Sequence, residues 1–157
     1  VQVCETLSAW GTASDAVVGG LCAALAADDS DWVQAAASQA LARIGPAAAH
    51  AGPCLLRAAR TGEAGVREQA MRALVMVQPA EAAEAFTAGM SDPEAQVRRV
   101  ASAGWMKAAA VPATAGPALV EALRDPETQV RANAAHALAR MDELPAGGAE
   151  TLRLCTT

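Results

Sequence analysis

Tyrosine is missing from this 157-residue chain, phenylalanine occurs once and tryptophan three times. A core built on stacked rings is therefore excluded. Hydrophobic residues nevertheless make up 53% of the sequence, so the apolar mass must come from Ala, Leu and Val. Lysine occurs once and the net charge is −5, which argues against an indiscriminate nucleic-acid binder but leaves room for a local basic patch. The four cysteines (Cys4, Cys22, Cys54 and Cys155) form no Cys-x-x-C and have no histidine at metal spacing. That speaks against a structural zinc site and a dense disulfide framework. Cys22 and Cys54 stand beside Leu21 and Leu55, where thiols serve as small buried hydrophobes; all four cysteines are expected to be free. No apolar run is long enough to span a bilayer: the uncharged stretch between Asp15 and Asp28 is too short, and Pro112 and Pro117 interrupt the later one. Position 1 is Val, so the expectation is a piece of a longer chain, and the lack of a leader carries no weight.

Chemistry-bearing motifs are equally scarce. There is no Gly-rich phosphate loop, no Gly-x-Ser-x-Gly and no cluster of carboxylates with a base one helical turn away. Ser and Thr are scattered, with no nucleophile beside a base. The sequence reads as a non-enzyme that needs no cofactor and no metal.

Repetition is what the chain does have. A Val, an Ala four residues on and a large apolar residue eight on recur as Val33-Ala37-Leu41, Val66-Ala70-Leu74, Val97-Ala101-Trp105 and Val130-Ala134-Leu138. A plus-seven column holds Ala40, Ala73, Gly104 and Ala137; a plus-eleven column holds Ile44, Val77, Ala108 and Met141. On a helical wheel these offsets fall within about 100° of one another, which makes each word a buried helical stripe. A period of this size marks an array of stacked units.

Five residues before each Val stand Asp28, Thr61, Asp92 and Asp125. Asp92-Pro93-Glu94 and Asp125-Pro126-Glu127 read as helix starts, with a capping Asp and Pro at the first helical position. Second helices are thus expected over 31–44, 63–77, 93–109 and 126–141, and first helices over 15–27, 47–60, 80–90 and 113–124. Pro53 and Pro117 should kink two of the first helices. No strand pattern occurs.

The phrase 116–141, with its kinking Pro, Asp-Pro turn and Val-Arg-x-x-Ala-x-x-Ala-Leu word, resembles a HEAT repeat, and more narrowly the short bacterial form named after phycobilisome lyase subunits. Residues 15–45, 53–78 and 82–109 follow the pattern more loosely. The resemblance implies an all-α, right-handed α-solenoid of about four helical hairpins forming one domain over 1–157. Its repeats would be 15–45, 46–78, 80–109 and 112–141, with partial repeats at 1–12 and 147–157. It also implies that the Arg after each Val (Arg67, Arg98 and Arg131, with Gln34 in the first repeat) bonds the turn Asp of a neighbouring repeat. His50 and His136 are not followed by Glu, so the His-Glu pairs of HEAT-type diiron hydroxylases are absent.

Eight of the twelve basic residues lie on the second helices, which line the concave face in HEAT-like arrays. Arg43, Arg72, Arg99, Lys107, His136 and Arg140 sit off the core stripe and should form a basic track, with Gln39, Gln69 and Asn133 between them and Trp32 and Met76 adding apolar contacts. Trp105, in a core column, is packing. The expected function is a cytoplasmic protein-protein interaction scaffold that takes an acidic segment of a protein partner on this face. The alternatives are an enzyme-associated array such as a bilin lyase subunit, and a nucleic-acid-binding HEAT protein such as the alkylpurine glycosylases; the acidic balance weighs against the latter.

Overall fold

Alanine, the strongest helix former, recurs in every one of the repeated words and in the helices between them, so propensity and periodicity demand the same structure. The computed structural model describes residues 15–27 and 30–141. Among them the regular structure is entirely helical: α1 (Asp15–Ala27), α2 (Asp31–Ile44), α3 (Gly52–Thr61), α4 (Ala64–Val77), α5 (Ala82–Gly89), α6 (Ala95–Lys107), α7 (Gly116–Ala122) and α8 (Thr128–Ala139). Two 3₁₀ segments, Gly45–Ala51 and Ala113–Ala115, precede α3 and α7. The partial repeats expected at 1–12 and 147–157 lie outside the described residues.

The bounds of α1 and α2 are those read from the sequence, and α4 begins one residue late. Helices α6 and α8 begin two residues later than expected. The Asp92 carboxylate accepts the Glu94 N–H at 2.9 Å, and Asp125 accepts that of Glu127 at 2.8 Å. Glu94 and Glu127 are extended. Asp-Pro-Glu therefore forms a side-chain-closed turn ahead of the helix rather than its first turn. Pro53 and Pro117 do not kink continuous helices either. Each stands in the first turn of a fresh α-helix, α3 or α7, where its missing N–H costs nothing, and the 3₁₀ segment before it takes up the change of direction.

The chain divides into two compact units, residues 1–85 and 86–157. In the first, α2 packs on α4, α1 on α2, and α3 on α4. Val18, Leu21 and Leu25 of α1, Leu41 of α2, Leu55 of α3 and Val66 and Leu74 of α4 form the core, each at most 5% exposed. Helix ends follow the plus-twelve column: Gly45 (φ +69) and Gln78 (φ 50) take positive φ and donate their N–H groups to Leu41 and Leu74 carbonyls. Cys22 of α1 and Cys54 of α3 form a disulfide, with Cα atoms 5.7 Å apart. This overturns the expectation of free thiols at these two positions. Their separation of 32 residues is one repeat period, so stacking brings the same position of successive first helices together. Cys4 and Cys155 lie outside the described residues.

In the second unit α6 packs on α8 and α7 on α8. Val97, Ala101, Trp105, Leu119, Val130, Ala134 and Leu138 are all 0% exposed. The Ala70, Ala101 and Ala134 column is fully buried in both units, as the close approach of helices through it requires. Trp105 is packing. Its ring meets Phe86 edge to face at 5.6 Å, and its indole N–H points at the Met90 sulfur at 3.2 Å.

Gly104 explains itself through the same ring. A Cβ placed there would come within 2.6 Å of Phe86 Cε1, and Phe86 is only 1% exposed, so it has nowhere to go. Gly104→Ala should gain about 1 kcal/mol of helix propensity but lose about 2–3 kcal/mol to overpacking. A net destabilisation of roughly 1–2 kcal/mol is the expected result of urea denaturation. A more stable variant would show that Phe86 does not sit against α6.

Candidate partner-binding face

Each second helix carries, besides its core stripe, a second stripe at minus one, plus three, plus six and plus ten from the Val, within about 60° on the wheel. In the first unit this stripe reads Trp32, Ala36, Gln39 and Arg43 on α2, and Gly65, Gln69, Arg72 and Met76 on α4. Helix α2 packs on α4, and the two stripes occupy equivalent offsets on this neighbouring pair. Trp32 is 61% exposed and Met76 47%, and Gln39, Arg43 and Arg72 are exposed. Arg72 is tied to Glu68 of its own helix, Nη2 donating to the carboxylate at 2.7 Å. Arg43 has no ion-pair partner among the described residues.

In the second unit Arg99, Lys107 and His136 are exposed. Arg99 donates to the Gln96 side chain one turn back. Arg140 is exposed as well, but its guanidinium is engaged. Its guanidinium donates to the carbonyls of Trp105 at 2.7 Å and Ala108 at 2.6 Å, so it closes the C-terminal end of α6 from the next repeat. Asn133 departs from the track. It is 6% exposed, and its amide donates to the Ser102 hydroxyl at 3.1 Å while its oxygen accepts from Gln129 at 3.0 Å. Full hydrogen bonding is what permits the amide to be buried.

Of the Arg residues that follow the Val, Arg98 makes the bond to a neighbouring turn Asp that the repeat pattern implies. Arg98 donates to both Asp125 oxygens, Nε at 2.7 Å and Nη2 at 3.3 Å, and its Nη1 reaches the carbonyls of Asp92 and Pro93. The Asp125 hydrogen bond, outweighing burial, raises the Arg98 pKa further above its usual range. Arg131 is bound to the carbonyls of Asp125 and Pro126, at 2.8 and 2.9 Å. In the first unit, Gln34 and Thr61 occupy the columns of Arg98 and Asp125. They line a cleft of about 360 Å³ with Asp31, Arg57 and Glu63. No nucleophile-base pair converges in it. Among the described residues no group of three His, Cys, Asp or Glu could hold a metal ion, and no helix is long and apolar enough to cross a membrane.

Paired helices stacked at a fixed period, with exposed second-helix stripes, define an α-solenoid repeat protein, a class that commonly serves as a protein-binding scaffold. The particular family follows from the HEAT repeats family model, which matches residues 18–106, and a second HEAT repeat model, which matches 116–144. The chain belongs to the HEAT repeat family. No curated protein matches it in sequence. Among solved structures it is similar to an engineered protein at 19% identity and a TM-score of 0.66, over 99% of this chain and 79% of that one. It is likewise similar to a designed armadillo repeat protein in complex with the peptide (KR)4, at 16% identity and a TM-score of 0.67, over 99% of this chain and 80% of that one.

Proposed function

We propose that this protein is a non-enzymatic interaction scaffold whose second helices receive a segment of a partner protein, and that the segment is acidic. One observation carries the reading: Trp32 and Met76, two of the large hydrophobic side chains left exposed, share a face with Arg43 and Arg72 on adjacent helices. Solvent-facing Trp and Arg are the residue types enriched at interface hot spots. The designed armadillo protein takes a basic peptide; the basic side chains on these stripes favour one of opposite sign. A lyase subunit or a glycosylase-type protein finds no catalytic constellation to support it among the described residues. The disulfide favours an oxidising compartment over the cytoplasm.

Reversing Arg43, Arg72, Arg99 and Lys107 to Glu tests the reading. Arg140 is left intact because it caps α6. Affinity purification of parent and variant, with quantitative mass spectrometry, should show acidic co-purifying proteins depleted about tenfold or more, while circular dichroism and melting temperature stay near parental values. Retention of the same partners at parental levels would make the basic side chains a solvated face and move attention to the first helices.

A further inference from the structure

Resting on that reading, we infer that the first unit recognises a two-part linear motif: one bulky apolar residue and, about five positions away along an extended chain, a pair of acidic residues. The face of α2 and α4 is not uniform from end to end. At its N-terminal end Trp32 of α2 shares its column of the repeat with Gly65 of α4. A Cβ built on Gly65 meets nothing within 4 Å, so α4 offers open, side-chain-free backbone at the position equivalent to the exposed Trp32. Ala36, next along the stripe, is also small. Together they form a shelf for one apolar side chain.

The far end is different. Arg43 and Met76 share the plus-ten column, with Arg72 one turn before Met76. Asp31 and Glu63, both exposed, stand near the Trp32 end. They repel acidic residues there, and Arg43 and Arg72 attract them at the other end. Charge therefore fixes which end of the motif lies where. From Trp32 to Arg43 is eleven residues, roughly 16 Å at a helical rise of about 1.5 Å per residue. An extended peptide covers that distance in about five residues at roughly 3.3 Å each.

The probes are fluorescein-labelled 14-residue Gly-Ser peptides carrying one Leu or Trp and a Glu-Glu pair, at a spacing of five or of one, and a spacing-five peptide with Lys-Lys instead. Anisotropy with the full chain at low salt should show the spacing-five acidic peptide binding roughly tenfold tighter than either control. Trp32→Ala should erase the spacing preference and leave a weaker preference for Glu over Lys. Gly65→Leu puts a side chain on the shelf from a position whose Cβ meets nothing within 4 Å, so it should weaken spacing-five binding by about tenfold with an unchanged or raised melting temperature. If acidic peptides bind equally at both spacings, or Gly65→Leu binds like the parent, the two-part motif is wrong while an acid-binding face survives. If the Lys peptide binds as well as the Glu peptides, the acidic-partner reading falls with it.

Discussion

Reducing the Cys22–Cys54 disulfide should lower the stability of the first unit by about 3–4 kcal/mol, the loop-closure value for a loop of this length. The bond joins residues 32 apart in sequence, and with it in place the unfolded chain cannot explore the open conformations of that loop. Few other terms in this unit are as large. Among the described residues its arginine ion pairs, Arg72–Glu68 at 2.7 Å and Arg60–Glu84 at 2.5 Å, lie at the surface, where such pairs contribute at most about 1 kcal/mol. Against a repeat array in which neighbours are stabilised only by each other, a clamp between the first two repeats acts where it matters most. Calorimetry of a Cys4→Ser/Cys155→Ser background, with and without a phosphine reductant, should show the first transition falling by more than about 10 °C on reduction. Cys54→Ala should behave like the reduced form and become insensitive to the reductant. A transition unmoved by the reductant, with an intact mass showing no loss of two hydrogens, would establish that the two thiols are free.

The misreading of those cysteines shows where the sequence was legible and where it was not. Period and stripe located every described helix, and the plus-four and plus-eight columns are buried without exception, because burial on a helix follows directly from spacing. The same period held the disulfide too: a separation of 32 among repeats spaced 31 to 33 is an instruction to look for contact, and treating the thiols as isolated buried groups discarded it. Contacts between repeats were harder to see. Arg140 is exposed as its offset off the core stripe implies, yet its long guanidinium reaches the last carbonyls of the previous second helix, partners that a single-helix wheel does not contain. Asn133 looked solvent-facing by polarity alone. Its partner, Ser102, carried the missing signal: small hydroxyls at plus five, Ser38 and Ser102, are both 0% exposed, and a buried hydroxyl invites a buried amide. Of the candidate face, Trp32, Arg43, Arg72 and Met76 are exposed on two helices that pack on each other.

Asp125→Ala should be the most damaging substitution of a charged residue in the second unit, costing about 3 kcal/mol, near the lower end for breaking a buried ion pair. The pair is well shielded, with the Arg98 and Asp125 side chains 14% and 7% exposed. Asp125 does two jobs at once. It accepts both Arg98 donors from the preceding repeat, and it holds the Glu127 N–H that closes the turn before α8. Removing it strands a charge that cannot neutralise itself, since the arginine pKa stays far above any pH at which the protein is folded. The loss stops short of the upper range because Arg98 keeps the Asp92 and Pro93 carbonyls. Asp125→Asn separates the two jobs. It preserves an oxygen for the Glu127 N–H and loses the charge, so its cost should fall between parent and Ala. In a double-mutant cycle, Arg98→Ala with Asp125→Ala should cost at least about 1 kcal/mol less than the sum of the single changes. Urea denaturation of the four proteins measures this. Additive costs, or an Asp125→Ala loss below about 1 kcal/mol, would mean that the repeats are joined here by their apolar columns alone and that the Arg-Asp pair is incidental to the stack.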